Sequence, residues 1–107
     1  MIADFWFGKT IKTEKAMNYL LAEAAKKAKS TPLQIASHVF SPYGMTGIIL
    51  LAESHIAIHT WPEISYIAID IFTCGSGATP RKAIGFLKKQ LRPNIAKVYL
   101  MKRGKMV

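Results

Sequence analysis

TGIILLAESHIAIHTWPEISYIAIDIF, residues 46–72, consists of three apolar runs separated by short polar corners. The middle run, Ser54–Thr60, alternates strictly, with His55, Ala57 and His59 against Ile56 and Ile58. A period of two sends successive side chains to opposite faces, so this run reads as a half-exposed strand. Tyr66–Phe72 repeats the pattern, with Ile67, Ile69 and Ile71 on one face and Tyr66, Ala68, Asp70 and Phe72 on the other. Thr46–Ala52 is a third strand. Trp61 precedes Pro62, which biases it to an extended backbone and places a bend there.

Working outward, residues 2–7 are aromatic-rich and end at Gly8, which reads as a first strand. From Thr13 the period changes: Ala16, Met17, Leu20, Leu21, Ala24, Ala25 and Ala28 recur at helical spacing. Lys15, Glu23, Lys26, Lys27 and Lys29 fill the opposite face of this amphipathic helix. Pro32 follows it, Leu33–Phe40 reads as another strand, and Ser41-Pro42-Tyr43-Gly44 turns the chain into Thr46. Downstream, Gly75-Ser76-Gly77 is a loop, and Thr79-Pro80 has the form of an N-cap followed by proline at the first helical position. Ala83, Ile84, Leu87 and Leu91 mark a second amphipathic helix stopped by Pro93, and Asn94–Lys102 is a last strand. The order strand–helix–strands–helix–strand predicts an α+β fold, a two-layer sandwich of a mainly antiparallel sheet with two helices on one face. With 107 residues and neither repeat nor linker, the chain 1–107 is expected to be a single domain.

Hydrophobic residues make up 50% of the chain and charged residues 20%, the balance of a globular protein rather than a disordered one. No stretch approaches the ~20 apolar residues of a membrane span. Met1-Ile2-Ala3-Asp4 offers no basic region ahead of an apolar one, so a reducing cytoplasm is the expected address and no membrane partner is expected. The lone cysteine, Cys74, can form neither an internal disulfide nor a cysteine cage for a metal. The net charge of +9 is unevenly spread: residues 30–80 hold no Lys or Arg and sum to −3 through Glu53, Glu63 and Asp70, leaving +12 on the flanks. A buried sheet between solvated helices accounts for this. So does a central site that avoids positive charge because its ligand is cationic.

On a strand rising about 3.3 Å per residue, His55 and His59 lie ~13 Å apart, too far to share an ion through ~2 Å bonds, so no metal is expected. Each histidine is either a hydrogen-bonded structural residue or part of a site, and Ser54 and Glu63 nearby keep the second reading open. Cys74, at a strand end ahead of the glycines, is either a small buried hydrophobe or a thiol facing a cleft. Phe40, Tyr43, Trp61 and Phe72 are either core or a stacking surface. Hydrolase chemistry is poorly supported, since there is no Gly-x-Ser-x-Gly elbow and Gly75-x-Gly77 is too short to cradle a phosphate.

Taken as one string, Leu51-Ala52-Glu53-Ser54-His55-Ile56-Ala57-Ile58-His59-Thr60-Trp61-Pro62-Glu63 resembles the signature of the S-adenosylmethionine decarboxylases, in the small prokaryotic form that makes its own pyruvoyl group. Phe40–Gly47 upstream and Phe72–Gly75 downstream look like the family's flanking motifs. Thr46 stands where the family commonly has serine, which keeps the hydroxyl but adds a methyl that stiffens the rotamer. The resemblance implies a proenzyme that cuts itself between Glu53 and Ser54 into residues 1–53 (the β chain) and 54–107 (the α chain), the new end at Ser54 becoming pyruvoyl. No external cofactor and no metal would be required. The Ser54 hydroxyl would attack the Glu53 carbonyl, and the resulting ester would break by β-elimination. The resemblance gives the histidine matching His59 the role of proton acceptor and the hydroxyl matching Thr46 a supporting role in processing; imidazole suits the task because its pKa lies near working pH. The pyruvoyl carbonyl would then form a Schiff base with the substrate's α-amino group and accept the electron pair left by carbon dioxide. The cysteine matching Cys74 would return a proton to the substrate.

S-adenosylmethionine carries a sulfonium and a flat adenine, so Trp61 and Phe40 are the expected stacking partners and Glu63 the expected acceptor for the ribose hydroxyls. The resemblance further implies a homodimer of αβ units and a product that serves as aminopropyl donor for polyamine (spermidine) synthesis. Two other readings compete. A pyruvoyl-dependent arginine decarboxylase on the same fold would keep the roles of Ser54, His59 and Cys74 while Trp61, Phe40 and Glu63 lost theirs. A small basic nucleic-acid-binding module would use Arg81, Lys82, Lys88, Lys89, Arg92 and Lys102-Arg103. It would need basic residues among the aromatics of its sheet face, which has none, so no nucleic-acid partner is expected.

Overall fold

A computed structural model of the chain describes residues 1–73, 78–101 and 103. In chain order the elements are β1 (Ile2–Trp6), α1 (Glu14–Lys27), β2 (Pro32–Val39), β3 (Met45–Leu51), β4 (His55–Trp61), β5 (Tyr66–Phe72), α2 (Pro80–Leu91) and β6 (Ile95–Tyr99), with a 3-10 turn at Pro62–Ile64. The strands form one sheet in the order β2-β3-β4-β5-β1-β6, and each neighbouring pair is antiparallel. The expected two-layer α+β architecture is therefore the one observed. The other strand limits shift by at most a single residue, while the last strand closes at Tyr99, three residues short of its expected end.

Alternation along the strands sets the two layers. Phe5, Met45, Ile49, Ile56, Ile58, Ile67, Ile69 and Ile71 turn to one face and pack with Met17, Leu20 and Leu21 of α1 and Ala83, Ile84, Leu87 and Leu91 of α2. Burying each large aliphatic side chain contributes on the order of 2 kcal/mol. Gly47 lies in this face directly beneath α1, where an added Cβ would stand 2.5 Å from Met17 Cγ and 2.9 Å from Leu21 Cδ1. The Thr13 hydroxyl accepts from the Ala16 N–H at 3.0 Å and caps α1. Thr79 stands at the corresponding position before α2 but makes no cap. Its hydroxyl donates to the Lys27 carbonyl at 2.6 Å and its N–H to the Ala28 carbonyl at 2.8 Å, which ties the end of α1 to the start of α2.

Among the described residues no helix covers the opposite face of the sheet. Thr46 and Leu50 of β3, His55, His59 and Trp61 of β4, Tyr66, Asp70 and Phe72 of β5, and Ile95, Lys97 and Tyr99 of β6 share it by register. A basic residue, Lys97, does therefore stand among the aromatics of this face, contrary to the expectation from the sequence. Leu50, Trp61, Phe72, Ile95 and Tyr99 are each between 37% and 46% exposed there. Among the described residues no helix is long and apolar enough to cross a membrane.

Candidate active site

β3 and β4 meet in a tight corner. The Leu51 N–H donates to the Ser54 carbonyl at 2.8 Å and the Ser54 N–H to the Leu51 carbonyl at 3.2 Å, so Ala52 and Glu53 form the tip and the Glu53–Ser54 peptide bond leaves it. Thr31, just ahead of β2, braces this tip from the side. Its carbonyl accepts the Ala52 N–H at 2.9 Å. Its own N–H and hydroxyl donate to the two carboxylate oxygens of Glu53 at 2.9 and 3.1 Å. The Thr31 amide, aided by the other donors, outweighs partial desolvation and holds the Glu53 carboxyl below the usual carboxylate range.

Ser54 Oγ lies 3.2 Å from Nδ1 of His55. Adjacent residues of a regular strand face opposite ways, but Ser54 precedes the start of β4, which frees its hydroxyl to reach the next ring. The His55 ring stands edge-on to Phe72, with centroids 6.1 Å apart. A hollow of about 210 Å³ beside them is lined by Met1, His55, Asp70, Phe72 and Arg103, and the Arg103 guanidinium sits 4.6 Å above the Phe72 ring.

His59 lies elsewhere. Five extended residues at about 3.3 Å each put the Cα atoms of Ser54 and His59 roughly 16 Å apart. His59 Nδ1 instead meets Thr46 Oγ1 at 3.1 Å, the two residues being register partners across β3 and β4. The fold thus unites two of the expected site residues, Thr46 and His59, and separates both from Ser54. Trp61 lies 6.1 Å from the His59 ring and is the outer member of a stack, with Tyr66 at 5.4 Å from it and Trp6 at 4.4 Å from Tyr66. The Tyr66 hydroxyl donates to the Asp4 carboxylate; desolvation first and this bond second push the phenol up to about 12. Phe40 is exposed and edge-on to His38 at 4.7 Å, and among the described residues no ring contact joins it to Trp61. Glu63 is exposed on the 3-10 turn. Cys74 lies outside the described residues. Among the described residues no group of three His, Cys, Asp or Glu side chains is placed to hold a metal ion.

Two neighbours of the corner were not singled out from the sequence, Thr31 and the His55 ring as a partner for Ser54. Thr31 is 22 positions from Glu53 and comes close only because Pro32 pairs with Leu51. His55 was visible as a histidine, but strict alternation argued for its pointing away from its neighbour.

An antiparallel sheet backed by two helices, carrying hydroxyl–imidazole contacts at a hairpin corner and along its uncovered face, defines a small α+β protein with the groups for proton transfer beside its own backbone. The S-adenosylmethionine decarboxylase family model matches residues 1–104, and the chain belongs to that family. It is 41% identical over 106 residues to the S-adenosylmethionine decarboxylase proenzyme of Acidithiobacillus ferrooxidans, covering 97% of this chain and 80% of that one. The proenzyme of the same name from Methanococcus aeolicus is 42% identical over 109 residues, covering 100% of this chain and 93% of that one. The crystal structure of the adenosylmethionine decarboxylase from Aquifex aeolicus superposes with a TM-score of 0.81 at 35% identity, over 90% of this chain and 81% of that one.

Proposed function

We propose that this chain is an S-adenosylmethionine decarboxylase made as a proenzyme, and that it severs its own Glu53–Ser54 bond to leave a pyruvoyl group at residue 54. The observation that carries this reading is the corner itself: in a chain of this family, a serine follows the tip of a tight hairpin with its hydroxyl 3.2 Å from an imidazole. The surroundings suit a cut and a blocked new end there. β3 and β4 remain joined by their own ladder, and Glu53 stays tethered to Thr31, so breaking one bond need not part the two pieces. Once formed, the pyruvoyl ketone supplies an electron sink for the pair released with carbon dioxide.

The remaining roles belong to side chains. Trp61 offers an exposed flat ring already stacked on Tyr66, a surface for adenine, while Phe40 and Glu63 are the further binding candidates. Cys74 is the proposed proton donor to the substrate. The absence of Lys and Arg from residues 30–80 suits a sulfonium-bearing substrate. Arginine decarboxylation is the less supported reading, because the relatives that match most of the chain are named for S-adenosylmethionine. The product would serve polyamine synthesis in the cytoplasm. The separation of His59 and Thr46 from Ser54 supports a homodimer of αβ units. A second copy laid face to face across the uncovered sheet, about a two-fold axis between Ser54 and His59, would bring each Thr46/His59 pair to the other chain's Ser54.

Intact-mass measurement of purified protein tests the cut. Two fragments meeting at Glu53/Ser54 are expected, the second lacking a free amine, with Ser54→Ala remaining whole. Carbon dioxide should be released from S-adenosylmethionine and not from arginine. Active protein that is unbroken and indifferent to borohydride would overturn the proposal.

A further inference from the structure

We infer that His55 is the base that takes the proton from the Ser54 hydroxyl in the first step of self-cleavage, an assignment that rests on the self-cleavage reading above. The role given to His59 is removal of the Ser54 Cα proton at the later elimination, which leaves the hydroxyl proton without an acceptor. Within the chain, His59 is roughly 16 Å away along β4, and in the proposed pairing the other copy's His59 arrives with its Nδ1 already engaged by Thr46. His55 Nδ1 is 3.2 Å from Ser54 Oγ, within the reach a general base requires. The edge-on Phe72 ring and the start of the β4 ladder hold the imidazole in place, while Thr31 holds Glu53 by both carboxylate oxygens on the other side of the bond.

The step balances without any outside reagent. An imidazole protonated on Nε2 accepts the hydroxyl proton at Nδ1 as Oγ bonds to the Glu53 carbonyl carbon. The bond from that carbon to the Ser54 nitrogen breaks, and the proton passes from Nδ1 to the departing nitrogen. An amide becomes an ester and an amine, with no change in composition or oxidation state. The Ser54 N–H already points back to the Leu51 carbonyl at 3.2 Å, so the new amine remains at the corner with an acceptor in place.

Hydroxylamine cleaves esters and spares amides, which separates the two histidines. Freshly purified wild type, His55→Asn, His55→Ala and His59→Ala would be followed by intact mass with and without hydroxylamine. Asparagine keeps an acceptor near the Nδ1 position, and so the corner, but cannot shuttle the proton. Both His55 variants should cut at least about 100-fold more slowly than wild type and stall as hydroxylamine-resistant amides. His59→Ala should stall as a hydroxylamine-sensitive ester. A His55→Asn chain that cuts within about threefold of the wild-type rate, or that accumulates the ester, overturns the assignment. A wild-type chain that stays whole overturns instead the self-cleavage reading on which the assignment stands.

Discussion

Glu53 is held chiefly by a residue outside its own hairpin. The Thr31 N–H and hydroxyl fix its carboxylate at 2.9 and 3.1 Å, and the Thr31 carbonyl fixes the preceding amide at 2.9 Å. A side chain pinned at both oxygens restricts rotation about the residue whose carbonyl is to be attacked, and a well-oriented carbonyl is worth far more to an intramolecular reaction than a swinging one. Thr31 is exposed, so Thr31→Val removes one donor without opening a cavity. Self-cleavage should slow several-fold in Thr31→Val and recover in Thr31→Ser, both read by intact mass against time; equal rates in all three would remove the Thr31 hydroxyl from the process. The same contacts give a pH signature. The Glu53 carboxyl is lowered from 4.5, chiefly by the Thr31 amide, so its contribution to the uncut chain is complete above that value and is lost as pH falls through the lowered one. In a Ser54→Ala background, the melting temperature of the Glu53 chain should therefore fall more steeply below pH 4.5 than that of Glu53→Gln, and parallel curves would show the contact to be idle.

At the level of elements, the sheet depends on one position that leaves no room for a side chain beneath the helix layer. Gly47 is buried in β3 under α1, and a methyl there would meet Met17 Cγ at 2.5 Å and Sδ at 2.7 Å. Met17 is flexible but fully buried, so it has little room to retreat. Gly47→Ala should cost about 1–3 kcal/mol by overpacking, measured by denaturant unfolding of the Ser54→Ala chain, and a neutral result would mean that α1 can slide on the sheet. The strands and their buried faces were legible because periodicity encodes them: the Ile56/Ile58 and Ile67/Ile69/Ile71 sets all point to the helices. The uncovered placement of His55 and His59 followed from the same pattern. What was not legible depends on strand order. β1 inserts between β5 and β6, and the β2 edge lies beside the β3–β4 corner, and no local period announces either arrangement. The Thr31 brace belongs to that kind of information. So does Thr79, which stands where a cap is expected but whose hydroxyl donates to the Lys27 carbonyl of the neighbouring helix at 2.6 Å.

The molecule as a whole is two-sided. One face of the sheet is closed by α1 and α2, whose outer surfaces carry exposed Lys26, Lys27, Arg81, Lys82, Lys88 and Lys89; the other, which no described helix covers, has Leu50, Trp61, Phe72, Ile95 and Tyr99 at its surface. Exposed apolar side chains gathered on one flat face are costly for a monomer and stabilising for a pair. Proton-transfer groups on that face fall into two sets that a single chain keeps apart, Ser54 with His55 at one end of β4 and Thr46 with His59 further along it. The proposed symmetric pairing would join unlike sets, one from each copy, and would join them twice. This arrangement has a consequence that no single-chain site shares. On the proposed roles, Ser54→Ala would lack the nucleophile and His59→Ala the elimination base, so neither should mature alone. Produced together, the proposed mixed dimer would hold one complete site, made of Ser54 from the His59→Ala chain and His59 from the Ser54→Ala chain. Intact mass should then show the His59→Ala chain alone cut at Glu53/Ser54 and carrying the blocked end, while the Ser54→Ala chain stays whole. If the His59→Ala chain remains stalled as the ester in co-purified mixed dimers, the base must act within its own chain and the shared site is wrong.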